Sequence, residues 1–391
     1  MRFAELGRQV AGLAAAAVLS VGVAAAQQQP ISLGAPQGTT GPGAKSLTVA
    51  LELPNAQTNG VAIAPDGRMF LVIAKQKGQS VPQIAEYGKG ADGKPQLKPY
   101  PDASWNGWKK GDDASQAFVH ANSIRFGPDG TLWVVDFGSE ELGASLVKHG
   151  AKLVGINTGT GKVVETLYLD DLTHPESAPD DVRFNGNHAY ITDAGWPGII
   201  VVHLPDGHAY RTLTGNTDTV RALVPLHGEG HPLQDKHGKP VYFHADQLEV
   251  SPDGKLLYYQ PNSGPMAVIE TKYLDDETLP DAERAKHARP FANTGTAGGT
   301  AIDKAGNIYV SDCDHSAVLK LTPAGKASLL VQDPRLVWVD ALWITPDGKL
   351  WMPAAQMDRT PSFNDGRMET KYPMQVFTVE IGSGPAGNDH R

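Results

Sequence analysis

Cysteine is almost absent from this sequence. Cys313 is the only one in 391 residues, so no disulfide forms within the chain and the fold rests on its core. Basic charge is also short: 34 Lys and Arg stand against 43 Asp and Glu, a formal −9, with no basic run. That balance argues against nucleic acid or an anionic membrane surface as partner. Past the first 26 residues no apolar stretch approaches membrane-spanning length, so no membrane span is expected. Long segments of 3.6-residue periodicity are scarce, which argues against helical bundles and βαβ units. Several catalytic signatures are missing too. There is no Gly-x-Ser-x-Gly elbow, no His-Glu-x-x-His, no phosphate loop and no Cys-x-x-Cys.

What is present begins with an export signal. Arg2 and Arg8 precede an apolar run from Val10 to Val23, and Ala24-Ala25-Ala26 supplies the small residues that a signal peptidase needs. Residues 1–26 are therefore expected to be a cleaved signal, and the mature protein to be periplasmic or secreted. Residues 27–44 are rich in Gly, Pro and Gln and read as a flexible leader. The folded unit is expected over 45–385, with a disordered tail at 386–391.

Six segments share one layout: a polar or glycine opening, a short apolar-alternating strand, a tight turn and a second apolar strand. They start at Asn59, Asn122, Asp180, Asp246, Gly298 and Asp340, and four of them turn on Pro-Asp-Gly. Such turns join antiparallel strands, with glycine at the positive-φ position. The starts are 63, 58, 66, 52 and 42 residues apart, room for four strands per repeat. The fold expected is all-β, a six-bladed β-propeller. After the sixth hairpin only one good strand remains, Met374 to Ile381. Leu47 to Leu53 is expected to supply the missing outer strand, so that both chain ends close one blade and leave no open sheet edge.

Against this layout the motifs carry a resemblance. Pro82 to Asn106 (PQIAEY…LKPYPDASWN), LWVVDFG (Leu132 to Gly138), AYITDAG followed by GIIVVHLPDGHAYR (Ala189 to Arg211), and LEVSPDGKLLYYQPNSGPMAVIET (Leu248 to Thr271) occur in order. Together they resemble the yellow/major royal jelly protein family from about Leu47 to Ile381. The resemblance implies a propeller that binds, or tautomerises, a small aromatic or amine-bearing molecule. The sequence departs from insect secreted members in lacking structural disulfides. It is more distantly similar to the senescence marker protein/gluconolactonase propellers, which implies a metal in the central channel. Those propellers contribute a first-blade glutamate, whereas the matching position here is Asn59.

The first strand of each propeller blade runs along the central axis, so the residues opening the repeats form a ring. The ring reads Asn59, Asn122, Asp180, Asp246, Gly298, Asp340. Three carboxylates on one narrow axis repel unless something offsets them. Ca²⁺ or another divalent cation held by Asn59, Asn122, Asp180, Asp246 and Asp340 is one solution. The plainer alternative is that these side chains cap strand ends and bind ordered water.

Two residues earlier, a period of two points side chains the same way. Those positions are Gln57, His120, Ala178, His244, Thr296 and Trp338. His120 and His244 are the candidate catalytic bases or metal ligands, against a reading as simple rim residues. Gln57, Thr296 and Trp338 are the candidate substrate contacts, with Trp105 and Trp108 as further candidates for an aromatic wall. Asp136, Asp193 and Asp312, each ending a second strand, are read as structural acceptors for turn amides. Cys313 is read as a small buried residue, and Asp112-Asp113 and Asp275-Asp276-Glu277 as solvated loops. Three functions stay open: a yellow-like binder or tautomerase of a small molecule, a divalent-metal-dependent lactonase, and a non-enzymatic binding or scaffold propeller.

Overall fold

The computed structural model describes residues 47–76, 80–215 and 218–388. The expected signal (1–26) and leader (27–44) lie outside the described residues. Six four-stranded antiparallel sheets form the ring of a six-bladed β-propeller. Blade one runs from Thr58 to Pro99, blade two from Ala121 to Tyr168 and blade three from Pro179 to Thr212. Blade four runs from Ala245 to Ala292, and blade five from Thr300 to Gln332. No helix among the described residues is long and apolar enough to cross a membrane.

The turn chemistry follows the sequence. In the blade-two hairpin Gly130 holds φ +81°, and a Cβ placed there would meet nothing within 4 Å. Backbone conformation, not space, demands glycine at that point. The aspartate before it fixes the turn: Asp129 Oδ1 accepts from the Thr131 amide at 3.0 Å, as Asp66 Oδ1 does from Arg68 in blade one.

Apolar faces of successive blades pack on each other. Phe70, Tyr100, Phe126 and Trp343 join blades one, two and six; their ring centroids lie 4.7 Å (Phe70–Tyr100), 6.2 Å (Phe70–Phe126) and 6.1 Å (Phe126–Trp343) apart. Each such fully buried side chain stabilises by about 1.5–3 kcal/mol relative to exposure.

Blade six is built from both ends of the chain. Its strands, outermost to innermost, are Thr48–Leu53, Met374–Glu380, Lys349–Pro353 and Trp343–Ile344. Thr48 pairs with Thr378 and Leu53 with Met374, while Leu51 and Leu53 bury their side chains. The tail docks further than the sequence suggested. Ala386 is fully buried, donating its amide to Ile302, and Asn388 Nδ2 donates to the Ser251 carbonyl at 3.0 Å. Residues 386–388 therefore lie in the seam of blades four and five, while 389–391 of the expected tail lie outside the described residues.

Two long insertions cap one end of the ring. Residues 218–244, carrying a small ribbon of His227–Gly228 and His231–Pro232, meet residues 354–373 of blade six. Arg359 pairs with Glu229 at 2.7 Å, and Leu226, Leu233, Cys313, Trp338, Ala355 and Phe363 form their shared apolar cluster.

If the terminal strand closes the ring, Leu53→Ala should cost about 2–5 kcal/mol, the usual range for a buried leucine. Deleting residues 47–53 should lower Tm far more and promote aggregation, because strand Met374–Glu380 becomes an open edge. Differential scanning calorimetry of both variants checks this. A deletion that melts like the parent would show that the pairing does not hold the ring.

Candidate functional site

The ring residues reach the axis through broken pairing. In blades one to four the register of the innermost strand shifts between Thr58 and Gly60, Ala121 and Ser123, Pro179 and Val182, and Ala245 and Leu248. Asn59, Asn122, Asp180 and Asp246 sit in those shifts. A bulge releases a residue from the ladder and re-aims its side chain, here into the channel. Blade five contributes no side chain, for a steric reason. A Cβ on Gly298 would lie 2.4 Å from the Val339 carbonyl and 3.0 Å from the Trp338 indole. Trp338 takes that space with φ +45°, strain of the order of 1–3 kcal/mol for a bulky residue.

A cavity of about 70 Å³ opens above the ring. Its floor is Asn59, Asn122, Asp180, Asp246, Gly298 and Asp340. Phe137, Leu142, Phe243, Trp338, Met357 and Phe363 make an apolar wall. His120, Asn262, Ala74 and Ala121 also line it.

The floor is a hydrogen-bonded chain with excess acid. Asn59 Nδ2 donates to the Asn122 carbonyl at 3.0 Å, and Asn122 Nδ2 donates to Asp180 Oδ1 at 2.7 Å. Asp246 accepts from Gln247 Nε2 at 2.9 Å and from Asn262 Nδ2; Asp340 accepts from the Ala341 amide at 2.8 Å. Burial, and then the neighbouring Asp246 charge, lifts Asp180 well above the ordinary carboxylate range. Asp246 and Asp340 are lifted likewise, burial again the largest cause. The carboxamide oxygens of Asn59 and Asn262 are buried with no hydrogen-bond partner.

This donor set, all oxygen, suits a hard cation such as Ca²⁺. Asp180, Asp246, Asp340, Asn59 and Asn262 are the residues that would hold it. Among the described residues, no three His, Cys, Asp or Glu side chains are gathered closely enough to hold a metal ion by themselves. The carboxamides are therefore needed.

The structure separates the remaining candidates. His120 lines the cavity, tilted over Phe137 at 4.0 Å between centroids, with its Nδ1 buried and unpartnered. Burial, then the Lys75 charge, holds its imidazolium down to about 4. His244 is not part of the lining; its Nδ1 accepts from the Ala222 amide at 3.1 Å. Gln57 is fully buried, donating Nε2 to the Ala355 carbonyl and accepting from Gln76 at 2.9 Å. Thr296 is buried too and accepts from the His227 amide at 2.9 Å, anchoring the capping ribbon.

The period-two argument fails at these positions because all of them precede the innermost strand, and in blades one to four the bulge then breaks the alternation. Trp338 does line the cavity, and hydrogen-bonds Asp340. Trp105 belongs to the core beside Phe118, and Trp108 stacks under Lys75 at 5.2 Å, so neither is part of the wall.

The aspartates ending second strands position the site. Asp136 accepts from the amides of Val119 at 2.7 Å and His120 at 2.8 Å, and pairs with buried Lys152 at 2.8 Å. Asp193 does the same for Ala178 and pairs with Arg211. Each pins the segment entering the innermost strand. Sequence reasoning missed Asn262, Phe243, Met357 and Phe363. Asn262 follows a second strand, where Asp136 and Asp193 gave a signal of sorts. The other three come from insertions that only the cap brings to the axis. Beside Met357, Asp358 is buried with neither carboxylate oxygen hydrogen-bonded, and burial pushes it up to about 7.

The ring makes stability fall as pH rises. Its folded carboxylates hold protons that the unfolded chain has already released above about pH 4. The loss runs upward from there through the raised values. Asp180→Asn should therefore raise Tm at pH 7–8 in chelator, by roughly 2–4 °C per kcal/mol of relieved repulsion. The gain should shrink toward pH 4. Melts across pH would refute the repulsive ring if the parent were the more stable form at pH 8. His120 acts in the opposite sense in both proteins. Its neutral form is favoured by folding above about 6.5, and that contribution is lost as pH falls toward 4.

No curated protein matches the chain in sequence. Among solved structures it is similar to a luciferin-regenerating enzyme, at TM-score 0.53 and 13% identity over 87% of this chain and 96% of that one. It is also similar to a calcium-binding protein, regucalcin, from Agrobacterium tumefaciens, at TM-score 0.50 and 14% identity over 86% and 95%. A putative gluconolactonase matches at TM-score 0.50 and 14% identity over 88% and 98%. Identities this low establish a shared fold alone. The sequence profile described as major royal jelly protein matches residues 123–378, well over half of the chain, so this chain belongs to the major royal jelly protein family.

Proposed function

We propose that the channel mouth binds a small aromatic molecule bearing an amine, its ammonium set against the acidic floor and its ring against the apolar wall. One observation carries this reading: three buried carboxylates with raised proton affinity form the floor of a cavity walled by Phe137, Trp338, Met357 and Phe363. A cation at that point offsets the repulsion, and aromatic side chains favour a flat or cationic guest. Either an organic ammonium or a divalent metal ion supplies such a charge, so the two compete for one floor. At about 70 Å³ the cavity takes a head group, and a larger ligand requires the segment carrying Met357 and Phe363 to shift.

Titration calorimetry with 2-phenylethylamine and its neutral counterpart 2-phenylethanol tests this. The amine should bind and the alcohol should not, with Ca²⁺ competing. Asp180→Asn with Asp246→Asn should weaken amine binding by about ten- to a hundredfold, the usual worth of a hydrogen bond to a charged group. Equal affinity for amine and alcohol would sink the proposal.

A second reading, proton transfer during tautomerisation, is favoured by the unpartnered Nδ1 of His120. An imidazole held down to about 4 stays neutral, and able to accept a proton, well below the ordinary histidine range. For a substrate that is turned over, His120→Gln should cut kcat by about 10²–10⁴-fold. The parent's activity should persist as pH falls through 6 and fail only near 4. Loss of activity already at pH 6.5, or a fully active His120→Gln, would exclude His120 as the base.

A further inference from the structure

The far end of blade three carries three histidines in one row. His188 opens the second strand and lies directly across from His203, which ends the third. His203 lies directly across from His208, which opens the fourth. Directly opposed residues of antiparallel strands share a face, with Cβ atoms about 4.5–5.5 Å apart. These positions lie at the opposite end of the blade from Asp180, about a strand length from the channel floor.

The His188 and His203 rings have centroids 5.5 Å apart, and their side chains are 27% and 37% exposed. Each presents Nδ1 to a carboxylate. His203 Nδ1 is 2.7 Å from Asp206 Oδ1, and His188 Nδ1 is 3.8 Å from Asp275 Oδ1. Both carboxylates are themselves fixed. Asp206 accepts from the His208 amide at 3.0 Å, and Asp275 accepts from the Tyr190 hydroxyl at 2.7 Å. Asp275 is thus no solvated loop residue, as its sequence context suggested. It is half-buried against blade three, and burial raises its proton affinity.

The Asp206 carboxylate on His203 Nδ1 favours the Nδ1–H tautomer and leaves its Nε2 lone pair free, the support usually found behind metal-ligating histidines, while Asp275 faces His188 Nδ1 across 3.8 Å without a hydrogen bond. Among the described residues neither Nε2 makes a hydrogen bond.

We propose that His188 and His203 form a transition-metal site, binding Zn²⁺, Cu²⁺ or Ni²⁺ through their Nε2 atoms with water completing the coordination. Neutral imidazole suits these ions, whereas Ca²⁺ and Mg²⁺ prefer oxygen. With metal–nitrogen bonds of about 2.0–2.1 Å, ring centroids 5.5 Å apart are compatible with one ion between the two imidazoles. His208 is turned away, its Nε2 2.9 Å from Glu277 Oε2. An ion here ties the blade-three strands, through the Asp275 carboxylate, to the insertion of blade four. It therefore braces the seam between blades rather than serving the channel.

The test is calorimetric titration of the full chain with Zn²⁺ alone as probe, in a Ca²⁺ background that occupies any hard-cation site. One Zn²⁺ per chain should bind and raise Tm. His188→Asn and His203→Asn should each remove that binding while leaving the Tm in chelator near that of the parent. Asp206→Asn should weaken it by about 10–100-fold, the usual effect of losing such a support. Cu²⁺ bound to the parent should show two nitrogen ligands by electron paramagnetic resonance. Should His203→Asn fail to fold, His188→Gln decides alone. Unchanged Zn²⁺ affinity in the histidine variants, or an equal loss in the exposed control His237→Asn, would overturn the site.

Discussion

Convergence of six innermost strands on one axis depends on ring closure, and closure depends on one strand pairing. Thr48–Leu53 lies beside Met374–Glu380, joining residues more than 300 positions apart in sequence. Without it, blade six has an open edge and blades one and six lose the packing around Leu51 and Leu53. The channel floor, the cap and the histidine row are each held in place by that closed frame. A propeller of this size can accept locally unfavourable features because its stability is spread over many interblade contacts.

The channel floor is such a feature. Three carboxylates withdrawn from water and facing one another oppose folding, and their raised proton affinities measure that cost. Around them the acidic groups are neutralised locally: Asp136 by Lys152, Asp193 by Arg211, and Glu249 by Arg183. Buried pairs of this kind are costly to break from one side. The floor's carboxylates lie directly under the apolar wall. The floor also holds the orphaned carboxamide oxygens of Asn59 and Asn262, and the binding proposed for the mouth rests on these unsatisfied groups.

The two ends of the propeller differ in chemistry. At the capped end, oxygen donors and aromatic walls favour hard or organic cations. At the far end of blade three, imidazole nitrogens beside carboxylates favour softer metal ions. Blade three separates the two proposed sites by about a strand length. Their different donor atoms also let a single titration series tell them apart.

Much of this was legible in the sequence, because it is local. The Pro-Asp-Gly turns, the repeat spacing and the polar residue opening five of the six repeats depend on a few consecutive residues, and they yield the six blades, the closing strand and the ring. The structural role of Asp136 and Asp193 was readable for the same reason. The side-chain directions next to the ring were not. Gln57 and Thr296 lie before their innermost strands rather than in them, so no alternation fixes their direction, and both turn into the core although they occupy the same repeat position as His120. The wall was hidden as well, since Met357, Phe363 and Phe243 lie in insertions with no repeat signal and meet only across the cap. Asp275 looked like solvent-exposed acid until the Tyr190 hydroxyl and His188 were placed beside it. Sequence alone determined the architecture and the charge at its centre. Tertiary structure decided which side chains share a cavity, because that depends on broken strand register and on contacts between segments far apart in the chain.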